Sequence, residues 1–358
     1  CLGDYNGGKK VVSPLSVLCA LSMAANGAGG ETLAQMEAAF GMGQKELREY
    51  LAAYCAALPN GDKYKVHVAN SLWVKEGEVE IGKPFLQDCV DYFDVQAYAA
   101  PFDRSTLEDV NGWVEEHTGG MIPEILREIN PMSVLYLVNA LSFDAEWQSP
   151  YYDNEVLERQ FTQEDGTKSL ADFLCRYEYL YLEDGDAVGF MKPYAGPEGD
   201  LAGATYAFAA LLPPEGQGVQ EYLGSLTGEK LHGILAGVRQ EQVAVQLPKF
   251  KTGHSVGLSD VLKAMGVEDL FDMGAADLSA MGKSSQGPLY VGQVVHKTFM
   301  QVDEKGTKAG AAALVDVVCG DSAPPEKEAV LNRPFVYMVV DWEAKVPLFI
   351  GAAMDIAK

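Results

Sequence analysis

Three groups of residues in this chain have types and spacings that bear on chemistry. The first is Gly253-His-Ser-Val-Gly257, a G-x-S-x-G pattern in which Ser255 would be a nucleophile. Asp277 and His296 follow it in the order of a hydrolase triad. Such a serine must sit on a sharp strand-to-helix turn. A strand is expected over 243–247 and a helix over 258–265, but Pro248, Lys249 and Lys251 interrupt the strand, and the helix starts beyond the serine. No HGGG-type oxyanion segment accompanies it, so a serine hydrolase is the remote reading. The second group, Gly27-Ala-Gly-Gly-Glu-Thr32, is glycine-rich as phosphate loops are but lacks their lysine and preceding strand; it reads as a turn between helices. The third is the set of six cysteines: Cys1, Cys19, Cys55, Cys89, Cys175 and Cys319. They are scattered without a CxxC pair, which supports no zinc site or redox motif, and they do not read as a disulfide framework.

A fourth stretch is unusual for what it lacks. Residues 302–325 begin strand-like, become small and featureless through Ala309, Gly310, Ala311, Ala312 and Ala313, and end at Pro324-Pro325. Read with the period of a strand, one parity holds Thr307, Ala309, Ala311, Ala313, Val315 and Val317, with no charge. The other holds Lys308, Gly310, Ala312, Leu314, Asp316 and Val318. One face suits burial and the other suits water, a register that a merely exposed loop has no reason to keep. With only two charges involved, a flexible linker showing this parity by chance is the alternative.

The elements around these residues are legible in outline. From 14 to 58 the pattern is mostly helical, with Leu15, Leu18 and Leu21, then Leu33, Met36 and Phe40, at helical spacing. A further helix is expected over 105–118, capped by Ser105 or Thr106, with Val110, Trp113 and Val114 on one face. Runs rich in β-branched and aromatic residues predict strands over 64–74, 134–143, 205–212 and 243–247, and over 335–341 and 346–350 joined by a turn. Without regular βαβ alternation this is an α+β plan with large, mainly antiparallel sheets. Turn-rich breaks fall near 27–30, 60–62, 196–199, 213–218 and 322–325, but none separates unlike halves, so a single domain over 1–358 is expected.

Composition narrows the partners. Acidic residues outnumber basic ones 51 to 27, giving a formal net charge of −24. Binding to nucleic acid or anionic membrane rests on Lys and Arg, so neither is expected as a partner. No apolar run reaches the roughly eighteen residues that a membrane span needs. The acidic balance and the lack of an Asn-x-Ser/Thr sequon point towards a bacterial origin and a target outside the cell.

A family resemblance unites these pieces. Glu304-Lys-Gly-Thr-Lys-Ala-Gly-Ala-Ala resembles the hinge of the serpin reactive-centre loop, and Leu289-Tyr-Val-Gly-Gln-Val-Val-His-Lys-Thr-Phe looks like the strand leading into it. Val12-Ser-Pro-Leu-Ser-Val17 resembles the family's early helix, and Leu137-Val-Asn-Ala-Leu-Ser-Phe-Asp-Ala-Glu-Trp147 its central strand. Phe161-Thr-Gln-Glu-Asp-Gly-Thr167, Leu247-Pro-Lys-Phe250, Asn332-Arg-Pro-Phe335 and Pro347-Leu-Phe-Ile-Gly351 also match, in family order along nearly the whole chain.

The resemblance implies the serpin fold, with a reactive-centre loop at about 304–330. It implies a suicide inhibitor of serine proteases: the protease cuts the loop, and the cut loop enters the main sheet and traps a covalent acyl complex. The hinge would comprise Glu304, Gly306, Thr307, Ala309, Gly310, Ala311, Ala312 and Ala313. Ser13, Ser16, Asn139 and His296 match the family's hydrogen-bonded cluster at the sheet opening; Trp147, Lys249 and Glu304 match the region where insertion begins. Family loop length places the cut between Gly320 and Asp321, but the interval from Glu304 to Pro334 is a few residues longer than in many members of the family, so Val317, Val318 and Cys319 are also candidates. No Lys or Arg occurs from Ala309 to Glu326, which disfavours a trypsin-like target and suits an elastase-like one with a small apolar pocket. An Asp-specific protease acting at Asp316 or Asp321 ranks lower, and oxidation of Cys319 could switch activity. The implied protein is a monomer outside the cell or at its surface, with no cofactor, no metal and no heparin-like accelerator. About a dozen residues precede Ser13 where the family carries a helix, so the chain reads as N-terminally truncated. A non-inhibitory serpin (carrier, chaperone or substrate) is the second reading; its usual mark, a charged or bulky hinge on the inward parity, is missing.

Overall fold

The computed structural model describes residues 9–58, 64–130, 132–196, 205–292, 294–307 and 326–356. Among these residues the strands gather into three large sheets and one two-stranded sheet. Sheet I runs β12 (Phe250–Gly257), β14 (Val295–Val302), β15 (Gly306–Thr307), β5 (Leu135–Glu146), β2 (Tyr64–Lys75) and β4 (Val95–Ala100). Sheet II runs β1 (Lys9–Val12), β18 (Val346–Ala353), β17 (Phe335–Asp341), β10 (Tyr206–Leu212), β9 (Ala187–Pro193) and β8 (Tyr181–Asp184). Sheet III runs β16 (Lys327–Val330), β11 (Val243–Pro248), β7 (Lys168–Glu178) and β6 (Val156–Thr162), and β13 (Gly282–Ser284) pairs with β3 (Val79–Ile81). The β2–β4 and β11–β16 pairs are parallel, the other ladders antiparallel. The α+β plan with mainly antiparallel sheets is thus realised.

The helices among the described residues are α1 (Pro14–Asn26), α2 (Gly30–Phe40), α3 (Gln44–Ala57), α4 (Lys83–Phe93), α5 (Arg104–His117), α6 (Val219–Ser225), α7 (Gly228–Ala236) and α8 (Ser259–Ala264). Helix α1 starts where it does because Ser13 is extended, its side chain accepts the Ser16 N–H, and Pro14 presets the first turn. For α5 the expected cap, Ser105 or Thr106, lies two or three residues late. Asp103 caps it by accepting the Ser105 N–H, while Thr106 accepts the N–H of Phe102 instead. Strands β1, β3, β4, β6 to β9, β12, β13 and β16 and helices α4, α6 and α7 lie outside the elements expected from the sequence. The β6–β7 hairpin carried one usable signal, Asp165-Gly166, where Gly166 takes φ 82° in the turn.

Sheet II explains the continuous apolar runs. Every residue of β10 and β17 is buried, because both faces are covered. In β10 the even residues Tyr206, Phe208 and Ala210 join the core shared with sheet I, and the odd residues Ala207, Ala209 and Leu211 pack under α6 and α7. Phe143 of β5 links the sheets, its ring centroid lying 5.0 Å from Tyr194 and 5.6 Å from Tyr206. The other face of sheet I lies under α5, where Val110, Trp113 and Val114 meet Trp73, Val138 and Ala140.

Sheets II and III are also joined by charge. The Lys192 ammonium, 1% exposed, lies 2.6 Å from Glu178 Oε1, which also accepts a 2.9 Å bond from the Tyr151 hydroxyl. Burial pulls the Lys192 pKa below its ordinary value, opposed by the attraction of Glu178. Lys192→Met would leave the Glu178 carboxylate buried beside one hydroxyl. We expect it to lower stability by about 3–5 kcal/mol, with Lys192→Met/Glu178→Leu recovering much of the loss in denaturant titrations.

Candidate functional site

At one end of sheet I the chain leaves β14, reverses and re-enters the sheet. Asp303 makes the reversal: its Oδ1 accepts N–H bonds from Lys305 (2.9 Å) and Gly306 (3.3 Å), and its own N–H donates to Gly306 O at 3.0 Å. Gly306 and Thr307 then form β15 between β14 and β5, pairing Val302 with Thr307 on one side and Glu146 and Ala145 with Gly306 and Thr307 on the other. A Cβ built on Gly306 would lie 2.1 Å from the Ala145 carbonyl oxygen, so this approach of strands admits only glycine.

Thr307 is 1% exposed, on the inward parity read from the sequence, and its Oγ1 lies 2.6 Å from the Tyr194 hydroxyl. Burial raises the Tyr194 pKa, so the phenol stays neutral. Trp147 stacks on Tyr194 with centroids 4.7 Å apart and donates from Nε1 to Asp303 O at 2.8 Å. Backbone bonds from Trp147 N to Lys305 O and from Tyr151 N to Glu304 O, each 2.8 Å, complete the clasp. Lys249 Nζ and Glu304 Oε2 are 2.6 Å apart. Partial burial pushes the Glu304 carboxyl up, but the hydrogen bonds it accepts and the positive charges of Lys249 and Lys305 together outweigh it, and the net shift is downward.

Further along β5 the second cluster assembles. Ser13 N–H donates to His296 Nε2 at 3.0 Å, and Ser16 Oγ lies 3.5 Å from His296 Nδ1 and donates to Asn139 Oδ1. Asn139 Nδ2 donates to Asn70 Oδ1 at 2.7 Å, and Asn70 donates onward to Phe93 O. Since Nε2 accepts, a neutral His296 carries its proton on Nδ1, facing Ser16. The cluster therefore bridges β14 to β5 through α1. Beside it lies a cavity of about 590 Å³, bounded by residues 135–139 of β5, by residues 286–292 and Val294 ahead of β14, and by α1.

All residues expected in the sheet-opening cluster and the insertion region are brought together. The hinge residues Ala309 to Ala313 and the bond candidates Val317, Val318, Cys319, Gly320 and Asp321 lie outside the described residues, as does Asp316. Sequence reading missed Asp303, Tyr194, Tyr151 and Asn70. Of these Asp303, three residues before Gly306, carried a turn signal. The hydrolase reading loses its geometry. Residues 253–257 lie inside β12, paired without a break from Gly253–Phe299 to Gly257–Val295, and no strand-to-helix turn occurs at Ser255. His296 engages Ser13 and Ser16, and Asp277 accepts from Ser279 within its own turn.

A long central sheet with a short strand wedged between two of its strands at one end is the arrangement of the serpin class. A family model described as Serpin (serine protease inhibitor) matches residues 4–356. The chain belongs to the serpin family. A leukocyte elastase inhibitor of Bos taurus is 30% identical over 98% of this chain and 94% of its own length. Tengpin, a thermophilic serpin, superposes in its native state with a TM-score of 0.92 at 41% identity, over 99% of this chain and 90% of that one. Its latent state gives 0.86 at 38% identity, covering 99% and 93%, so the present structure is more similar to the native form. A thyroxine-binding globulin complexed with thyroxine matches at 0.84 but only 19% identity, covering 98% and 94%, a likeness of fold alone.

The Lys249–Glu304 pair is about 29% exposed at each partner. Glu304→Gln or Lys249→Met is expected to lower the apparent Tm at neutral pH by about 1–3 °C. Because the folded Glu304 pKa is depressed, the pair stabilises above the ordinary value of 4.5 and is lost as pH falls below it. The difference from wild type should therefore close in scans at acid pH. In the second cluster Ser16→Ala removes the donor to Asn139, at a cost of about 0.5–1.5 kcal/mol, and faster amide exchange along β5 should report it.

Proposed function

We propose that this chain is an inhibitory serpin, a single-domain monomer that traps a serine protease covalently after one cut in the segment 308–325. The protease serine Oγ would attack the carbonyl carbon before the cut bond, forming an ester as the amine of the next residue leaves. The freed loop then extends β15 between β5 and β14, carrying the acylated protease with it before water completes hydrolysis. One observation carries the reading: Thr307 is already buried between β14 and β5, on the parity that continues as Ala309, Ala311, Ala313, Val315 and Val317. Each further pair of residues adds ladder bonds and buries one small side chain at about 25 cal/mol per Å² of apolar surface, so insertion runs downhill once the loop is cut. The uncut form would be held by kinetics, with the Ser13–Ser16–Asn139–His296 cluster and the Lys249–Glu304 pair resisting early opening.

The target would be elastase-like. The segment 309–326 contains no Lys or Arg for an acidic S1 pocket, while Val317, Val318, Cys319 and Gly320 suit a small apolar one. The name of the bovine relative points the same way. The preferred cut lies between Gly320 and Asp321.

Mixing the protein with pancreatic elastase should give a band at the summed mass that survives boiling on a denaturing gel, and sequencing the released C-terminal peptide should start at or near Asp321. Thr307→Arg would place a charge at a site with no water to solvate it. That variant should be cut as a simple substrate, with nearly all of the trapped band lost. Cleavage of wild type without a band by elastase-, trypsin-, chymotrypsin- and subtilisin-like enzymes alike would favour the non-inhibitory reading.

A further inference from the structure

Cys19 and Cys55 form a pair that the site above does not use. Cys19 sits in α1 one turn beyond Ser16 and is 1% exposed; Cys55 sits in the last turn of α3 and is partly exposed. Both are free thiols, and their Sγ atoms are 4.0 Å apart. We propose that Cys19 and Cys55 are a modification site, closing to a disulfide under an oxidising thiol–disulfide couple, and that the closed bond restrains the opening of sheet I. A disulfide needs the sulfurs at about 2.05 Å, an approach of roughly 2 Å. It is available because α3 ends at Ala57, two residues beyond Cys55, where a helix frays.

Cys55 is the attacking group. It is the more exposed of the two, and a hydrogen bond from the Cys19 thiol pulls its pKa below the ordinary thiol value, while that bond and burial push Cys19 up. Its thiolate attacks one sulfur of a small disulfide such as oxidised glutathione, and the first glutathione leaves with the proton that Cys55 gave up. The Cys19 sulfur then attacks Cys55 Sγ, its proton passing to the departing second glutathione. Two protein thiols are oxidised and one disulfide is reduced to two thiols.

The consequence follows from where the bond falls. Helix α1 carries Ser13 and Ser16, through which β14 and β5 are bridged; fixing α1 to α3 takes from that bridge the freedom to follow the strands apart. Its inhibitory meaning rests on the function proposed above; its chemistry does not.

The full chain is incubated with oxidised glutathione and digested for mass spectrometry, and amide exchange is followed on the reduced and oxidised forms. A linked Cys19–Cys55 peptide, lighter by two hydrogens, is expected in wild type, with Cys19→Ser holding glutathione on Cys55. A persistent glutathione adduct on wild-type Cys55 with Cys19 free would overturn the pair. Exchange along β5 should slow by about threefold or more on oxidation, and the Cys19→Ser/Cys55→Ser protein should be insensitive. Equal exchange in both forms would overturn the restraint. Slower trapping of elastase by the oxidised form is expected too. If neither form traps elastase while the bond and the exchange change persist, the inhibitory reading fails and the redox site stands.

Discussion

Two residues of backbone pairing at the end of sheet I govern the rest of the molecule. Gly306 and Thr307 separate β14 from β5, and among the described residues these are the only ladder positions on that side of either strand. A sheet prised apart at one end needs its remaining length held closed by something weaker than a strand. The structure supplies this with side chains: Ser13 with His296 and Ser16 with Asn139 span through α1 what a continuous ladder would otherwise hold, and Asn70 on the neighbouring strand β2 steadies Asn139. Hydrogen bonds of this kind contribute about 0.5–1.5 kcal/mol each, enough to resist opening and little enough to yield.

The wedge itself is fixed on every side. Gly306 is demanded by the Ala145 carbonyl, Thr307 is anchored by Tyr194, and Trp147 reaches from β5 to hold the Asp303 turn. Below it, Lys192 and Glu178 tie sheet II to sheet III in a setting where water cannot compete for either charge. Gly306 and Thr307 are therefore buried and hydrogen-bonded on every side, while the cluster beneath β5 is a small polar network.

Much of this was legible in the sequence, for separable reasons. The strands of sheet II announce themselves because burial on both faces leaves no room for polar residues, and β17 occupies the expected 335–341. The inward parity of Thr307 was readable because a strand repeats every two residues. The missed elements failed for equally physical reasons. The strands β6 and β7 alternate poorly, with Leu157 and Leu170 exposed, and α6 and α7 are short helices whose apolar faces make sense only against β10 and β17. The serine of Gly253-His-Ser-Val-Gly257 misled for the converse reason: a local pattern cannot say whether the chain turns or runs straight, and here pairing with β14 keeps it straight.

By itself the sequence determined the family, the α+β plan, the uncharged parity that begins at Thr307 and the absence of basic residues from 309 to 326. These are properties of local spacing and composition, which the chain carries wherever it folds. Only the tertiary structure decided that Asn70 extends the cluster, that Tyr194 and Trp147 clasp the hinge, and that Cys19 and Cys55 meet. Those contacts join residues 36 to 156 positions apart, and no local spacing encodes them. They exist because burying the faces of three sheets against one another leaves those side chains no other place to be.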